Sequence, residues 1–571
     1  MIPRAERRFL DWCAILLTPW LILLQGHRFG VGNHDTLLSF LRRLHDPYYL
    51  ASDYMMSTPP VHPQLLDVML PLVSSWGENG AFLLLHIATR LFLLMGIWRL
   101  CMALVPGRPW VAVAAMLGTL AEPRLQLGAH YLQGGHFEPA FLGMAAAVWT
   151  LAIGIRFARG ESHWMSLALA AGFGFFSHLF IGGPIFVVVF AVTFLLGRRD
   201  FAWIFALLGA LFLGSITWLP ALTGFLKASG GSISGEQVIQ LLQFRHPHHH
   251  QPWTWPLIDF IQAGVFLSAS AWAWWNLTPP QDRNTRLGIP GGLLLWFALT
   301  CAAFTVFGLL QKVPILAYLQ PFRLLSLLLM MGLIASLEAA RRTVAAVSWW
   351  GQALVLGAVL LMFRLEALVP LAVYTIWCVK RPVASSELAG WIPRRRWLAV
   401  GAFLGFAGIM TLQRHDELRD FANRLRREHW LVDVAPQDPA RRELAAWIRT
   451  HTPGSALFAI PPGMEGFRIW ERRAIVVDYK NVPYRAPDLA EWAERIALAA
   501  NVDPYIPFIA QPETDANPWQ MALLATTYGA RYVVLREPVE DRTVVFRNSV
   551  YTVLDLERAQ QVNLMGITEP R

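Results

Sequence analysis

The sequence predicts a multi-pass membrane protein, in which an all-α bundle of transmembrane helices is followed by a smaller α/β domain. The 571 residues are 55% hydrophobic and only 15% charged. That is too apolar for a soluble protein, whose core needs a polar surface around it. The 25 Trp and 34 Phe residues suit a bilayer, where aromatic rings collect at the interfaces. Long apolar runs recur up to about residue 413 and then stop.

Apolar runs of roughly 17 to 24 residues are long enough to cross a bilayer as helices, and the chain has about thirteen of them. They define a predicted membrane domain over residues 1–413. Their approximate positions are 9–27, 81–104, 110–127, 139–157, 164–181, 183–197, 201–224, 256–277, 288–310, 318–339, 345–363, 365–380 and 397–413. The first run follows a basic start but is long and lacks a small-residue cleavage site. We therefore expect a retained signal-anchor helix.

Basic residues alternate between the predicted loops, and this pattern predicts the orientation. The positive-inside rule puts loops rich in Arg and Lys in the cytoplasm. These residues are Arg4, Arg7, Arg8, Arg108, Arg156, Arg159, Arg198, Arg199, Arg283, Arg286, Arg341, Arg342, Lys380, Arg381, Arg394, Arg395 and Arg396. The N-terminus is then cytoplasmic, whereas the first outer loop 28–80 and residues 414–571 are extracytoplasmic. Because topology explains the net charge of +9, we expect no nucleic-acid partner.

Residues 414–571 have the pattern of a soluble α/β domain. Helical periodicity occurs in ARRELAAWIRTH, APDLAEWAERIALAA and WQMALLATTYG. Strand patterns occur in SALFAIPP, RAIVVDYK, ARYVVLRE and the pair VVFRN and YTVLDLE. No P-loop, GxGxxG or GxSxG motif is present, which argues against nucleotide binding and α/β-hydrolase chemistry. The 4 cysteines fall in apolar runs without a CxxC pair, so we expect them to be packing residues.

The first outer loop carries the leading candidate for chemistry, Asp35. The run TLLSFLRRL follows it, with apolar residues at helical spacing and Arg42 and Arg43 on the other face. This pattern is typical of an amphipathic helix that lies on the membrane. Asp35 either caps this helix or accepts a proton from an attacking hydroxyl group. Asp46 and Asp53 are expected to form turns in the loop.

Glu138 is a second candidate acid, in the sequence GGHFEP at the outer end of the 139–157 span. Its two interpretations are a functional carboxylate and an acid that favours the positive end of the helix dipole. Glu122, at the other end of the same predicted loop, is a further acid of this kind.

Candidate phosphate-binding residues lie in two further outer segments. The run FRHPHHHQPW contains Arg245, His248 and His249, and Arg323 lies in LQPFRLL. Guanidinium groups offer planar paired donors to phosphate, so phosphate contact is the favoured interpretation. Metal binding, pH sensing and a solvated loop are the alternatives for the histidines, and a side chain that snorkels to the surface is the alternative for Arg323.

These features together resemble the GT-C class of membrane glycosyltransferases. Proteins of that class have many transmembrane helices, an acid in the first outer loop followed by an interfacial helix, and often an outer soluble domain. Asp35 matches the first-loop acid and Glu138 the usual place of a second acid. The paired acids of that class are absent, since His34 and Thr36 flank Asp35. The segments FRHPHHHQPW, QPFRLL and WIRTHTPGSALFAIPPGMEGFRIWERRAIVVDYK also resemble a bacterial family of multi-pass proteins of unknown function.

The resemblance implies an inverting glycosyltransferase on the outer face of a bacterial plasma membrane. The implied donor is a sugar on a polyprenyl phosphate, and the acceptor is a glycan, lipid or protein. Asp35 and Glu138 are then the catalytic candidates, and His34 joins Arg245, His248, His249 and Arg323 as the phosphate- and substrate-binding candidates. A divalent cation, Mg²⁺ or Mn²⁺, is compatible with these residues. The alternatives are a transporter or lipid flippase and a non-catalytic envelope-assembly protein.

Overall fold

A computed structural model divides the chain into two units, each built from separate stretches of sequence. The structure describes residues 3–60, 63–120, 127, 132, 134–196, 199–228, 233–277, 288–310, 312–313, 320–343, 349–364, 367–380, 432–434, 436, 438–483, 485–506, 517–537, 539 and 543–557. The first unit comprises 1–27, 84–219 and 248–431, and we call it the helical unit. The second comprises 28–83, 220–247 and 432–571, and we call it the sheet unit.

The described secondary structure is mainly helical. The helices are α1 (Arg4–Gln25), α2 (His34–His45), α3 (Tyr54–Ser57), α4 (Pro63–Leu104), α5 (Pro109–Gly118), α6 (Pro139–Ala158), α7 (Trp164–Ser177), α8 (Leu179–Leu196), α9 (Phe201–Ala228), α10 (Gly235–Arg245), α11 (Pro247–His250), α12 (Leu257–Leu277), α13 (Gly288–Ala303), α14 (Leu325–Thr343), α15 (Trp349–Met362), α16 (Leu368–Lys380), α17 (Pro439–His451), α18 (Phe467–Trp470), α19 (Ala486–Ala500) and α20 (Pro518–Tyr528). The strands are β1 (His27–Phe29), β2 (Val432–Val434), β3 (Leu457–Ala459), β4 (Ala474–Ile475), β5 (Tyr532–Leu535), β6 (Val544–Arg547) and β7 (Thr552–Asp555). A π-helical stretch, Phe304–Leu310, extends α13, and short 3-10 turns at Pro252–Thr254 and Pro321–Leu324 precede α12 and α14.

A described helix overlaps each of the first twelve predicted spans, although α4 begins at Pro63, well before the predicted start at 81. Among the described residues, 6 helices are long and apolar enough to cross a membrane. They are Gln64–Leu104, Pro139–Ala158, Phe201–Pro220, Leu257–Leu277, Gly291–Leu310 and Pro321–Thr343. The predicted span 397–413 and the predicted domain boundary after residue 413 lie outside the described residues, so the count of about thirteen spans stays a prediction.

Small residues let the helices of the helical unit approach closely. α6 packs against α7 and α8, and a Cβ atom added at Gly154 would come within 2.5 Å of Val189 Cγ1. Gly143 leaves similar room for His178, and Gly182 lies directly against the backbone of Gly174. Close packing of this kind replaces the hydrophobic effect between helices in a lipid environment. The Gly-rich and Ala-rich sequence of these spans therefore explains why they pack as a bundle.

The sheet unit contains a five-stranded mixed sheet with the strand order β4-β3-β5-β7-β6. β4, β3 and β5 are parallel, and β7 pairs antiparallel with both β5 and β6. The buried face of α17 joins the sheet in one apolar cluster, in which Leu444 and Ile448 lie with Phe458, Tyr532 and Val553. Between residues 440 and 557, each predicted helix and strand has a described counterpart.

Candidate active site

Asp35 is held inside the sheet unit, in the first turn of α2. The N-cap of this helix is Asn33, and Asp35 as a whole is only 2% exposed. Its carboxylate accepts a hydrogen bond from Asn481 instead of from the backbone of its own helix. Asp35 therefore does not act as the N-cap of α2, although an acid in the first turn does complement the helix dipole.

The amphipathic pattern of α2 has a different origin from the one that the sequence suggested. Leu37, Leu38, Phe40 and Leu41 are buried in the structure, and α2 packs against α18. The apolar face of this helix thus contributes to a protein core. The helical period was correctly predicted, but periodicity alone does not distinguish burial in protein from burial in lipid.

Three carboxylates surround the buried guanidinium of Arg468. Its Nε atom lies 2.8 Å from Asp53 Oδ2, and its Nη1 atom lies 2.6 Å from Asp478 Oδ2 and 3.6 Å from Asp35 Oδ2. The side chains of all four residues are at most 3% exposed. Asp53 and Asp478 therefore bind Arg468 through short ionic hydrogen bonds, whereas Asp35 interacts with it at longer range. We call these four residues the Arg468 cluster.

Asp53 has a larger role than the turn that the sequence predicted. Its Oδ1 atom caps α3 by accepting from the backbone N–H of Met55 at 2.9 Å. Its Oδ2 atom accepts from Arg468 and from the backbone N–H of Ile475 at 2.9 Å. With both oxygen atoms engaged in this way, Asp53 stabilises the cluster and connects it to β4.

The carboxylate of Asp35 is only partly satisfied. Its Oδ2 atom accepts from Asn481 Nδ2 at 2.7 Å, and its buried Oδ1 atom has no hydrogen-bond partner among the residues that the structure describes. Burial, together with the nearby carboxylates of Asp478 and Asp53, raises the pKa of Asp35 to about 6, against the lowering effect of Arg468 and Asn481. A carboxylate with this pKa is largely ionised at neutral pH yet binds a proton far better than an ordinary aspartate.

A second set of contacts fixes α18 and thereby Arg468. The guanidinium of Arg42 donates to both carboxylate oxygens of Glu78, at 2.6 and 2.7 Å, and to the carbonyl of Ile469 at 3.0 Å. The Tyr49 hydroxyl donates to the carbonyl of Arg468 at 2.7 Å. Arg42, which the sequence suggested lies on an open polar face, thus belongs to the scaffold of the site.

Arg245 lies beside the segment 478–481, which also contributes to the Arg468 cluster. It donates from Nη2 to the carbonyl of Lys480 at 3.2 Å. The neighbouring Phe244 ring contacts Trp492 and Tyr479, and α10 packs against α19. Arg245 therefore contacts the same segment, 478–481, that binds Asp35 through Asn481.

His34 lies in an aromatic environment within the sheet unit. Its Nδ1 atom accepts from the backbone N–H of Gly30 at 3.0 Å, and its ring contacts Phe82 edge to face with a centroid distance of 4.4 Å. Because Nδ1 acts as an acceptor, the geometry favours the neutral ring protonated on Nε2.

The remaining predicted site residues belong to the helical unit. Glu138 is the N-cap residue of α6, and its Oε1 atom lies 2.8 Å from His136 Nε2. No local period indicates this pairing of Glu138 with a histidine two residues earlier. Glu122 lies outside the described residues.

The histidine run and Arg323 meet the same residue, Gln320. The His250 ring lies 3.1 Å from the side-chain nitrogen of Gln320, and the backbone carbonyl of Gln320 accepts from the backbone N–H of Arg323 at 3.2 Å. The rings of His248 and His249 contact each other with a centroid distance of 4.1 Å. Among the described residues, no group of three or more His, Cys, Asp and Glu side chains is arranged to hold a metal ion.

Sequence reasoning missed three members of the site: Arg468, Asp478 and Asn481. They lie more than 400 positions after Asp35 in the chain, and no local period connects them. Their signal is a charged or amide side chain inside an otherwise buried run, as with Arg468 in FRIW and Asp478 after VV. Charged groups are rarely buried unless they are paired, so such positions indicate a partner elsewhere in the sequence.

Comparisons with protein families and with curated proteins give two findings. Residues 439–499 match a family model described as "Domain of unknown function (DUF6798)", and this range contains Arg468, Asp478 and Asn481. No curated protein matches the chain.

Two solved structures of ArnT from Cupriavidus metallidurans are similar to the chain. The structure of ArnT bound to undecaprenyl phosphate gives a TM-score of 0.42 at 14% identity and covers 100% of both chains. The structure in the apo state gives a TM-score of 0.37 at 14% identity and covers 96% of this chain and 97% of that chain. An identity of 14% transfers no residue role to this chain.

Proposed function

We propose that this protein is an inverting glycosyltransferase of the bacterial plasma membrane, with Asp35 as its general base. One observation carries this proposal: Asp35 is a buried carboxylate with one oxygen held by Asn481 and the other without a partner among the described residues. A general base needs a free oxygen atom and a pKa close to the working pH. Asp35 meets both requirements, and Asp53, whose two oxygens are engaged, does not.

The proposed reaction transfers a sugar from a polyprenyl phosphate to an acceptor hydroxyl on the outer face of the membrane. The acceptor oxygen attacks the anomeric carbon and forms the new glycosidic bond, while its proton passes to Asp35 Oδ1. The bond between the anomeric carbon and the phosphate oxygen breaks, and the electron pair leaves with the polyprenyl phosphate. Because attack and departure occur on opposite faces of the sugar, the configuration inverts.

Arg245 is the proposed contact for the leaving phosphate. A guanidinium that donates to the departing oxygen stabilises the charge that develops on it. Arg245 is the last residue of α10 and donates a hydrogen bond to the backbone carbonyl of Lys480. His248, His249 and Arg323 stay predictions as phosphate contacts in the helical unit, and Glu138 stays a prediction as a second functional acid.

The choice of a polyprenyl-phosphate-linked sugar as donor comes from the resemblance to GT-C enzymes. A reconstituted assay tests it directly. The purified full-length protein is reconstituted in liposomes with polyprenyl-phosphate-linked glucose, mannose or galactose and with a bacterial envelope extract as the acceptor source. Release of polyprenyl phosphate is measured, because every transfer reaction with such a donor produces it. We expect Asp35→Asn to lower the rate by about 100- to 10,000-fold, the usual contribution of a general base.

Asp46→Asn is the matched control, since Asp46 lies in the same loop and is exposed, and its Oδ1 atom accepts from the backbone N–H of Tyr48. This variant is expected to keep the wild-type rate. Full activity of Asp35→Asn would overturn the assignment of the base. Movement of the lipid across the bilayer without release of polyprenyl phosphate would instead support the transporter and overturn the transferase.

A further inference from the structure

The side-chain amide of Asn481 lies between two carboxylates of the sheet unit. Its Nδ2 atom donates to Asp35 Oδ2 at 2.7 Å and to Asp478 Oδ2 at 2.8 Å, and its Oδ1 atom accepts from the hydroxyl of Thr36. The reverse orientation of the amide would place its oxygen against two carboxylate oxygens. The orientation is therefore determined by the charges around it and not by packing alone.

The backbone of Asn481 is fixed as firmly as its side chain. Its N–H donates to Asp478 Oδ1 at 2.8 Å, which closes the turn from Asp478 to Asn481. Asp478 in turn binds Arg468 at 2.6 Å. Asn481 is 3% exposed and contacts two consecutive residues of α2, Asp35 and Thr36, so it connects Asp478 to the first turn of this helix.

We propose that Asn481 is a positioning residue that presents Asp35 for proton transfer. It occupies Oδ2 and fixes the plane of the carboxylate, which leaves Oδ1 as the oxygen that receives the proton. Thr36 assists by holding the Asn481 amide in the required orientation. This inference rests on the proposed function, because it names a residue through which that function is achieved.

The charges around Asp35 determine the direction of the expected effect. Arg468, on α18, lowers the pKa of Asp35, whereas Asp478, in the turn to Asn481, and Asp53, at the start of α3, raise it. The hydrogen bond from Asn481 also lowers this pKa because it stabilises the ionised carboxylate. Loss of the Asn481 amide must therefore raise the pKa of Asp35, and a fourth carboxylate at this position must raise it further.

Infrared titration of the full-length protein tests this without any need for activity. The carbonyl band of protonated Asp35 is isolated at each pH as the difference between each protein and its own Asp35→Asn variant. We expect the midpoint to move up by about one pH unit in Asn481→Leu and by more in Asn481→Asp. Thr36→Val is expected to give a smaller upward shift, and Thr36→Ser, which keeps the hydroxyl, the wild-type midpoint.

Asn501→Asp is the control, because it introduces the same charge at an exposed asparagine that follows α19. Its midpoint should equal that of the wild type. In the liposome assay, the Asn481 variants should lose kcat with little change in the KM for the donor, and their activity should require higher pH.

The two hypotheses fail in different ways. Unchanged midpoints in Asn481→Asp and Thr36→Val would overturn the positioning role, whatever the activity. Shifted midpoints in these variants, together with a wild-type protein that releases no polyprenyl phosphate, would support the positioning role and overturn the proposed function. Asn481→Asp and Thr36→Val change few atoms, so they keep the test decisive even if Asn481→Leu does not fold.

Discussion

Two ionic clusters among the described residues, each with a buried central residue, have opposite composition. In the sheet unit, one guanidinium, that of Arg468, forms ion pairs with three carboxylates. In the helical unit, one carboxylate, that of Glu338, serves three guanidinium groups: Arg341 and Arg342 at 2.8 Å and Arg108 at 3.9 Å. With every group ionised, the first cluster carries a formal charge of −2 (one positive, three negative) and the second +2 (three positive, one negative).

This difference suggests different roles: the Arg468 cluster has the features of a reactive site, and the cluster around Glu338 those of a structural one. Both oxygens of Glu338 accept hydrogen bonds from arginines, and the excess cations are half-exposed, where water solvates them. The excess charge of the Arg468 cluster is buried, and it falls on Asp35, whose Oδ1 atom has no partner among the described residues. A buried charge without compensation is costly, and such costs are typical of functional sites.

The largest expected effect on stability comes from replacing Arg468, the central residue of the Arg468 cluster. Arg468→Met leaves three buried carboxylates without their cation, which is expected to cost about 3–5 kcal/mol. Arg341→Met should cost less, because Glu338 keeps Arg342 and Arg108. Hydrogen exchange of the peptide that contains residues 467–481 measures the first effect locally. Equal losses of stability in the two variants would contradict the comparison.

The second prediction concerns stability as a function of pH. The folded-state pKa of Asp35, about 6, lies above its ordinary value of 3.8, so the folded protein binds this proton more tightly than the unfolded chain. The stability contributed by protonated Asp35 is complete below pH 3.8 and is lost as the pH rises through about 6, a cost of about 3 kcal/mol. Asp35→Asn removes this cost and should therefore be more stable than the wild type at pH 7.5.

Thermal unfolding of the purified protein at pH 4 and pH 7.5 measures this effect. The stabilisation by Asp35→Asn should be present at pH 7.5 and nearly absent at pH 4. Glu338→Gln is the matched variant, and it should be destabilised because it weakens the interactions of three arginines. If Glu338→Gln were instead more stable than the wild type at pH 7.5, the two clusters would not differ in the predicted way.

A third prediction is that the pH dependence of activity is set by the Arg468 cluster and not by the cluster around Glu338. Only ionised Asp35 accepts a proton, so kcat/KM should fall about tenfold for each pH unit below about 6. Glu338→Gln should keep the same profile if enough folded protein is obtained. A flat profile between pH 5 and pH 8 in the reconstituted assay would argue against Asp35 as the base.

The contrast between the clusters also explains what could be predicted from the sequence. The helices and strands follow from local periodicity, and Asp35 was identified because it follows the first span and precedes an amphipathic run. Glu338, Arg341 and Arg342 lie within one helical turn, so their pairing can be predicted from spacing. The partners of Asp35 are brought to it only by tertiary folding, and for this reason Arg468, Asp478 and Asn481 were missed and Asp53 was interpreted as a turn residue.

The smallest expected effect concerns Glu138, the second acid that the sequence suggested. Its carboxylate is 16% exposed and is paired with His136 at 2.8 Å, so it lacks the burial and the unpartnered oxygen that distinguish Asp35. We expect Glu138→Gln to lower kcat/KM by less than about tenfold, since a general base contributes more than that. His136→Gln is the companion variant, and a joint effect smaller than the product of the two single effects would show that the pair acts as a unit. A loss of kcat/KM as large as that of Asp35→Asn would instead identify Glu138 as an essential acid. A buried carboxylate with one unpartnered oxygen would then not be enough to identify the general base.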